Sequence, residues 1–147
     1  MRHFCNRSWG NCAMVLAIII GFSSCKIEKL APAQEAVKDI SGNWRIIRAT
    51  RNGADLTTIV DFSQFRINFK DGKYTLVNKV PFLVNDDGTY ALDDPKYPFK
   101  ISFKAGGATP VATAFNFPIV NGVRQLTITF SPGCANNSYV YVFQKTQ

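Results

Sequence analysis

The sequence predicts an all-β domain in which an antiparallel up-and-down meander closes into a barrel of about eight strands. Apolar and polar residues alternate along most of the chain after residue 40, as they do in half-buried strands. Tight-turn dipeptides separate the runs, at Asn52-Gly53, Asp71-Gly72, Asp87-Gly88 and Asn121-Gly122. Such turns join neighbouring antiparallel strands, and closure of the meander removes both sheet edges. The alternative is a β-sandwich, which would favour longer connections.

The individual strands follow from the same alternation. We predict strands over residues 44–50, 65–69, 74–77, 80–84, 89–92, 99–104, 114–120, 123–130 and 138–145. Three clear hairpins result, formed by the second and third, the fourth and fifth, and the seventh and eighth of these strands. The stretch 54–62 fits either a short helix or an irregular crossover.

The first 24 residues have the three parts of a secretory signal peptide. Arg2 and Arg7 give a positive start, residues 13–22 form an apolar run, and two serines precede Cys25. The apolar run is too short to span a bilayer, because a spanning helix needs roughly 20 residues. Cleavage before Cys25 is therefore predicted.

The tetrapeptide Phe22-Ser23-Ser24-Cys25 resembles the lipobox of bacterial lipoproteins. The resemblance implies a lipid on Cys25 and hence a membrane partner in the cell envelope, with plain secretion as the alternative. Lys26, in place of the aspartate that often marks inner-membrane retention, favours the outer membrane. We predict a signal peptide over 1–24, a flexible tether over 25–39 and a barrel domain over 40–147.

Cleavage at this point would remove the only histidine, His3, together with Cys5 and Cys12. A domain without histidine cannot build a Ser–His–Asp or Cys–His nucleophile system, and it lacks the usual ligands of zinc, copper or haem. We therefore expect no enzyme, no catalytic residue, no metal and no cofactor. Cys134 would remain as a solitary thiol without an activating neighbour.

Gly42 and Trp44 form a Gly-x-Trp pattern at the start of the first strand, which resembles the signature of lipocalins and related calycins. The resemblance implies that Trp44 plugs one end of the barrel and that Gly42 lets the chain turn tightly into it. It also implies that Lys145 of the last strand packs across the indole. Residues 25–147 as a whole resemble small lipocalin-like bacterial lipoproteins of unknown function.

Phenylalanines supply most of the inward-facing positions, and six of them are candidates for lining a ligand cavity. These are Phe65, Phe69, Phe99, Phe103, Phe115 and Phe117. If the rings leave space, the barrel would bind a small hydrophobic ligand. If they fill it, the barrel would support an interaction or inhibitory module for an envelope protein or glycan, acting through loops such as Ser131 to Asn137.

Two sets of charged residues complete the candidates. The acidic set is Asp86, Asp87, Asp93 and Asp94, which could bind calcium or hydrolyse a glycan but also fits ordinary turn chemistry, the interpretation we favour. The basic set is Arg45, Arg48, Arg51, Lys100 and Lys104, which could meet an anionic glycan or simply keep the surface soluble. An exported domain is not expected to bind nucleic acid.

Overall fold

The computed structural model describes residues 34–134 and 136–146, which form ten β-strands and no helix. The strands are β1 (Gly42–Arg51), β2 (Ala54–Asp55), β3 (Arg66–Lys70), β4 (Lys73–Val77), β5 (Gly88–Leu92), β6 (Lys100–Ala105), β7 (Val111–Asn116), β8 (Ile119–Val120), β9 (Val123–Phe130) and β10 (Tyr139–Lys145). The predicted all-β class is confirmed. The signal peptide, Cys25 and the tether up to residue 33 lie outside the described residues.

Eight of the strands close into an antiparallel barrel. Around it they follow the order β1, β3, β4, β5, β6, β7, β9 and β10, and β10 pairs with both β9 and β1. The short strands β2 and β8 pair with β1 and β9, respectively. The predicted closed meander is confirmed and the sandwich alternative is wrong. In the part of the chain that the structure describes, no helix is long and apolar enough to cross a bilayer.

Three of the four hairpin turns predicted where a Gly follows Asn or Asp are confirmed. Asn52, Asp71 and Asn121 have φ angles of 49°, 50° and 50°, and the glycines after them also have positive φ. This is the backbone of the type I′ turn, whose twist matches that of the flanking strands. The stretch 54–62 is an irregular crossover that begins with β2.

The predicted strand over 80–84 is wrong, and so is the hairpin at Asp87-Gly88. Residues 78–87 form a loop between β4 and β5, and Gly88 instead pairs with Tyr74. Pro81 lacks the N–H that a strand would donate. The alternation that suggested a strand is nevertheless a burial signal, because Phe82 and Val84 are both buried.

The predicted strand over 114–120 is also divided. It becomes β7, which starts earlier at Val111, and β8, with Phe117 and Pro118 between them. Proline ends the ladder there for the same reason as in the 78–87 loop. Only β8 belongs to the Asn121-Gly122 hairpin, whereas β7 pairs with the far half of β9.

A β-bulge divides β1 and decides which of its side chains face outwards. The register against β10 shifts between Ile46 and Arg48. The shift allows Arg45 and Arg48 both to be exposed while Trp44, Ile46 and Ala49 face the core.

Connections between the strands fall at two ends of the barrel. One end has the start of β1 and the finish of β10, where Trp44 is paired with Lys145. The Asp71-Gly72 turn, the loop 93–99 and the β8–β9 hairpin lie at this end, which we call the Trp44 end. The opposite end has the β1–β2 hairpin and the loops 56–65, 78–87, 106–110 and 131–138.

Candidate functional site

Phe82 lies inside the barrel although it belongs to no strand. Its ring centroid is 5.7 Å from that of Phe103 on β6, 5.3 Å from that of Phe130 on β9 and 6.2 Å from that of Phe143 on β10. A side chain can reach strands on different sides of a barrel only from its interior. The loop 78–87 therefore folds inwards and places an aromatic ring among the core side chains.

A second loop covers the same end of the barrel. Phe62, from the crossover 56–65, is buried and makes an edge-to-face contact with Tyr141 at 5.5 Å between ring centroids. The Tyr141 hydroxyl donates a hydrogen bond of 2.8 Å to the carbonyl oxygen of Pro81. Both loops are thus attached to β10, and burial raises the pKa of Tyr141 to about 12.

Tyr74 carries the one buried side-chain polar atom without a hydrogen-bond partner among the described residues. Its ring stands edge-to-face on Phe103, with 5.1 Å between the ring centroids. Burial, followed by the charges of Asp87 and Asp86, raises the pKa of Tyr74 to about 12. An unpaired buried hydroxyl has a free-energy cost of about 1–3 kcal/mol.

Of the six phenylalanines predicted to line a cavity, the structure brings four together in the core. Phe65, Phe69, Phe103 and Phe115 are fully buried there. Phe117 is half-buried at the Trp44 end, where it stacks on Phe115.

Phe99 departs from the prediction, because it is 70% exposed on the outside of the barrel. It precedes β6, and its backbone N–H donates to Asp93 Oδ1 at 3.0 Å while its carbonyl accepts from Phe115. The chain is therefore only entering the sheet at Phe99. Alternation along β6 starts one residue later and does not extend to this side chain.

Trp44 closes the Trp44 end of the barrel. The indole is fully buried, and its Nε1 donates a hydrogen bond of 2.8 Å to the carbonyl oxygen of Ile40. The segment 35–39, which the sequence assigned to the tether, lies against this end, where the Lys38 N–H donates to the Pro95 carbonyl at 2.7 Å. The compact unit accordingly begins at Glu35 rather than at residue 40.

An open groove of about 330 Å³ lies beside the indole. Its apolar lining comes from Trp44, Phe117 and Val37, and its charged rim includes Arg124 and Lys145. Lys38 also lines the groove and is paired with Glu35, which lowers the pKa of Glu35. Asp39 lies in the same lining, so the charges around the apolar part of the groove are mixed.

Arg124 is a site residue that the sequence did not single out. Its guanidinium lies 4.6 Å from the centre of the Phe117 ring and donates to the Phe117 carbonyl at 2.8 Å. Phe117 in turn meets Trp44 edge-on at 6.3 Å. The positive charge that lies on the Phe117 ring therefore comes from Arg124 of β9. The Asn121-Gly122 turn could have indicated the position of Arg124, because a hairpin at this turn pairs Arg124 with Ile119.

Lys145 lies beside Trp44 in the register of β1 and β10, but its stem passes over Gly42. A Cβ built on Gly42 would stand 2.4 Å from Lys145 Cε, and Gly42 has a φ of 122°. Such a φ is readily reached only by glycine. Gly42, Trp44 and Lys145 are thus brought together, with the glycine making room for the lysine.

The acidic set is divided between the two ends of the barrel by β5. Asp86 pairs with Lys79 at 2.9 Å, and Asp87 accepts the Leu76 N–H at 2.8 Å. Asp93 accepts the N–H groups of Lys100 and Phe99. The bond from Lys100 is the main reason that the pKa of Asp93 lies below its usual value. These carboxylates hold turns, as the favoured interpretation predicted.

Asp94 behaves in the same way, because the N–H groups of Tyr97 and Lys96 lower its pKa. Within residues 34–134 and 136–146, no three His, Cys, Asp or Glu side chains lie together as a metal site would need. The basic set is also separated, since Arg45, Arg48 and Arg51 are on β1 and Lys100 and Lys104 on β6, which does not adjoin it. Cys134 is exposed.

Together these features define a small closed antiparallel barrel with an indole at one end and a loop inserted from the other. The sequence matches a family model, the domain of unknown function DUF5004, over residues 25–144. The chain therefore belongs to the DUF5004 family. No curated protein and no solved structure matches it.

Proposed function

We propose that this protein is a lipid-anchored, lipocalin-like barrel of the cell envelope that acts by binding through its outer surface and not by catalysis. The observation that carries the proposal is the position of Phe82. Barrels of this size can hold one small ligand in their interior. Here the ring of Phe82, from the 78–87 loop, lies among the core rings instead.

Anchoring through Cys25 is supported by the sequence. The lipobox-like tetrapeptide ends at Cys25, and the family match begins at the same residue. Acyl chains on this residue would hold the protein at a membrane, since each buried CH₂ contributes about 0.8 kcal/mol. Lys26, in place of the aspartate that often marks inner-membrane retention, favours the outer membrane.

A binding function, rather than an enzymatic one, is supported by the residue types that remain after Cys25. That part of the sequence contains no histidine, and its one other cysteine is Cys134. The aspartates that could act as a carboxylate pair accept hydrogen bonds from backbone N–H groups in turns. Because β5 separates Asp86 and Asp87 from Asp93 and Asp94, the two groups are not placed for joint acid–base chemistry.

Binding could occur inside the barrel or on its outer surface. Because Phe82 fills part of the interior, we favour surface binding to an envelope protein or glycan. A hydrophobic ligand could enter only if the 78–87 loop moved out. That movement would break the Tyr141–Pro81 hydrogen bond and expose Phe82 and Val84. Each exposed side chain would cost about 1.5–3 kcal/mol, which the ligand would have to offset.

The interior is tested by comparing the lipid-bearing protein with its Phe82→Ala variant. Removing the ring should lower the free energy of unfolding by about 3–5 kcal/mol and leave an apolar cavity. Toluene should then raise the Tm of the variant and leave that of the wild type unchanged. Phe82→Leu serves as the milder variant if Phe82→Ala does not fold. Native mass spectrometry that found one small molecule per wild-type protein would contradict the proposal.

The anchor is tested with two cysteine variants that differ only in position. Cys25→Ala should abolish fatty-acid labelling and release the protein from membranes, whereas Cys134→Ala should keep both properties. Labelling that persists in Cys25→Ala would rule out the proposed lipidation.

A further inference from the structure

Most of the exposed apolar side chains in the described residues lie at the Trp44 end. They are Val37, Tyr97, Phe99, Ile119, Val120 and Val123. Backbone hydrogen bonds join the segments that carry them, from Lys38 to Pro95 and from Phe115 to Phe99. The six side chains therefore lie on neighbouring segments at one end of the barrel, and we call this set the apolar rim. Several large apolar side chains exposed at one end of a barrel mark an interaction site.

The β8–β9 hairpin is the most prominent part of the apolar rim. Val120 pairs with Val123 on one face, and Ile119 pairs with Arg124 on the other. Ile119 is 61% exposed. Because exposed apolar side chains lie on both faces of the hairpin, it cannot bury all of them against its own barrel. It is suited to insertion into an apolar medium.

Basic side chains accompany the apolar rim. Lys100 follows Phe99, Arg124 lies on β9 beside the hairpin turn, and Lys145 ends β10 next to the groove. Carboxylates are present at this end as well: Glu35 is paired with Lys38, and Asp93 and Asp94 are held in their loop by backbone N–H groups. Apolar side chains flanked by lysine and arginine are the composition that binds the interface of an anionic bilayer.

The chain enters the barrel at this same end. Residues 35–39 line the groove, and Cys25 lies only nine residues before Gln34, the first described residue. A fully extended chain of that length spans at most about 30 Å. A lipid on Cys25 would therefore keep the Trp44 end near the bilayer. This step rests on the anchoring proposed above.

We propose that the apolar rim docks on the anionic bilayer that holds the lipid of Cys25. The tip of the β8–β9 hairpin and the ring of Phe99 lie among the lipid headgroups. Lys100 and Lys145 lie at the level of the phosphates. The loops of the opposite end then face away from the membrane and are available to a partner.

The experiment uses the lipid-bearing protein, extracted from membranes and placed in nanodiscs of phosphatidylglycerol and phosphatidylcholine. A fraction of the lipid carries a photoactivatable acyl chain, and peptide mapping locates the cross-links. They should fall on residues 95–99 and 117–124 and be missing from residues 56–62. The intact mass reports independently whether Cys25 carries its lipid.

Two matched pairs of variants separate docking from mere proximity. Ile119→Ser should reduce cross-linking of the hairpin about tenfold, because an apolar side chain is lost from the interface. Ile59→Ser, at a side chain 75% exposed on the opposite end, should leave it unchanged. Lys100→Gln should reduce it about fivefold, and Lys104→Gln, on the same face of β6, should not. The lysine effect should disappear in discs of phosphatidylcholine alone.

Equal cross-linking of both ends, or equal effects of Ile119→Ser and Ile59→Ser, would overturn the docking proposal. The proposal would also be overturned if a second copy covered the apolar rim. In that case the wild type would be a dimer, and Ile119→Ser would dissociate it. If the lipid is present but the cross-links are spread evenly, docking fails and the anchor stands. If the intact mass shows no lipid on Cys25, the anchor fails, and docking is then judged from binding to added vesicles.

Discussion

The hydroxyl of Tyr141, on the last strand, donates a hydrogen bond to the carbonyl oxygen of Pro81, 60 residues earlier in the chain. The bond attaches the middle of the loop 78–87 to β10, whereas Asp87 attaches the end of the loop to β4 by accepting the Leu76 N–H. Tyr141→Phe keeps the ring and its contact with Phe62 but removes the donor. We expect the free energy of unfolding to fall by about 1 kcal/mol.

The measurement for Tyr141→Phe is urea denaturation together with amide hydrogen exchange. Exchange should accelerate in residues 78–87 and stay unchanged in the Asn121-Gly122 hairpin, which serves as the internal control. A variant with wild-type exchange in the loop would show that Phe82, and not the hydrogen bond, fixes the loop.

Tyr74→Phe is expected to act in the opposite direction. Its hydroxyl is buried without a partner, so its removal relieves a desolvation cost. The variant should be more stable by about 1 kcal/mol, which thermal unfolding would detect as a higher Tm. A lower Tm would mean that the hydroxyl is bonded to a buried water molecule.

Alkaline pH should destabilise the fold through the same two tyrosines. Burial raises the pKa of Tyr74 and of Tyr141 to about 12, whereas in the unfolded chain each phenol ionises near its usual value of 10. Above pH 10 the unfolded state therefore binds fewer protons, and stability falls as pH rises towards 12. Burial also raises the pKa of Tyr90. Ultraviolet titration should therefore show late-ionising phenols, and the double variant Tyr74→Phe/Tyr141→Phe should lose the two that ionise near pH 12. Their ionisation at pH 10 in the folded wild type would contradict the prediction.

Gly42→Ala should destabilise the barrel by about 1–3 kcal/mol, because a φ of 122° strains any side-chain-bearing residue. The added Cβ would also displace Lys145. The double variant Gly42→Ala/Lys145→Ala removes that contact and leaves the backbone strain, so it should recover only part of the loss. Gly107→Ala is the control, since a Cβ there meets nothing within 4 Å. Full recovery in the double variant would assign the whole effect to the contact.

Alternation and turn chemistry were sufficient to predict the barrel, its closure and the turns at Asn52, Asp71 and Asn121. They failed at residues 80–84 because a period of two reports which side chains are buried and not whether the backbone is paired. Val80, Phe82 and Val84 alternate inside the barrel without being a strand. A segment that fills an interior and a strand that lines it have the same pattern.

The candidate site was predictable only in part. Gly42, Trp44 and Lys145 could be placed together, since the first and last strands of a closed meander must meet. Arg124 and the apolar rim could not, because their position depends on where Pro118 divides β7 from β8. Phe99 was misplaced for a similar reason, as its strand begins one residue later than the alternation indicates.

Pairing of β1 with β10 also governs when the barrel can form. Gly42–Arg51 emerges early in synthesis, but most of its ladder is with Tyr139–Lys145, the last strand made. Until that strand is available, β1 and β9 both keep open edges, and such edges invite aggregation. The barrel therefore acquires most of its cooperativity only after β10 has been synthesised, and its non-local pairing favours slow folding. A premature stop before Tyr139 would cost the whole barrel and not a single strand.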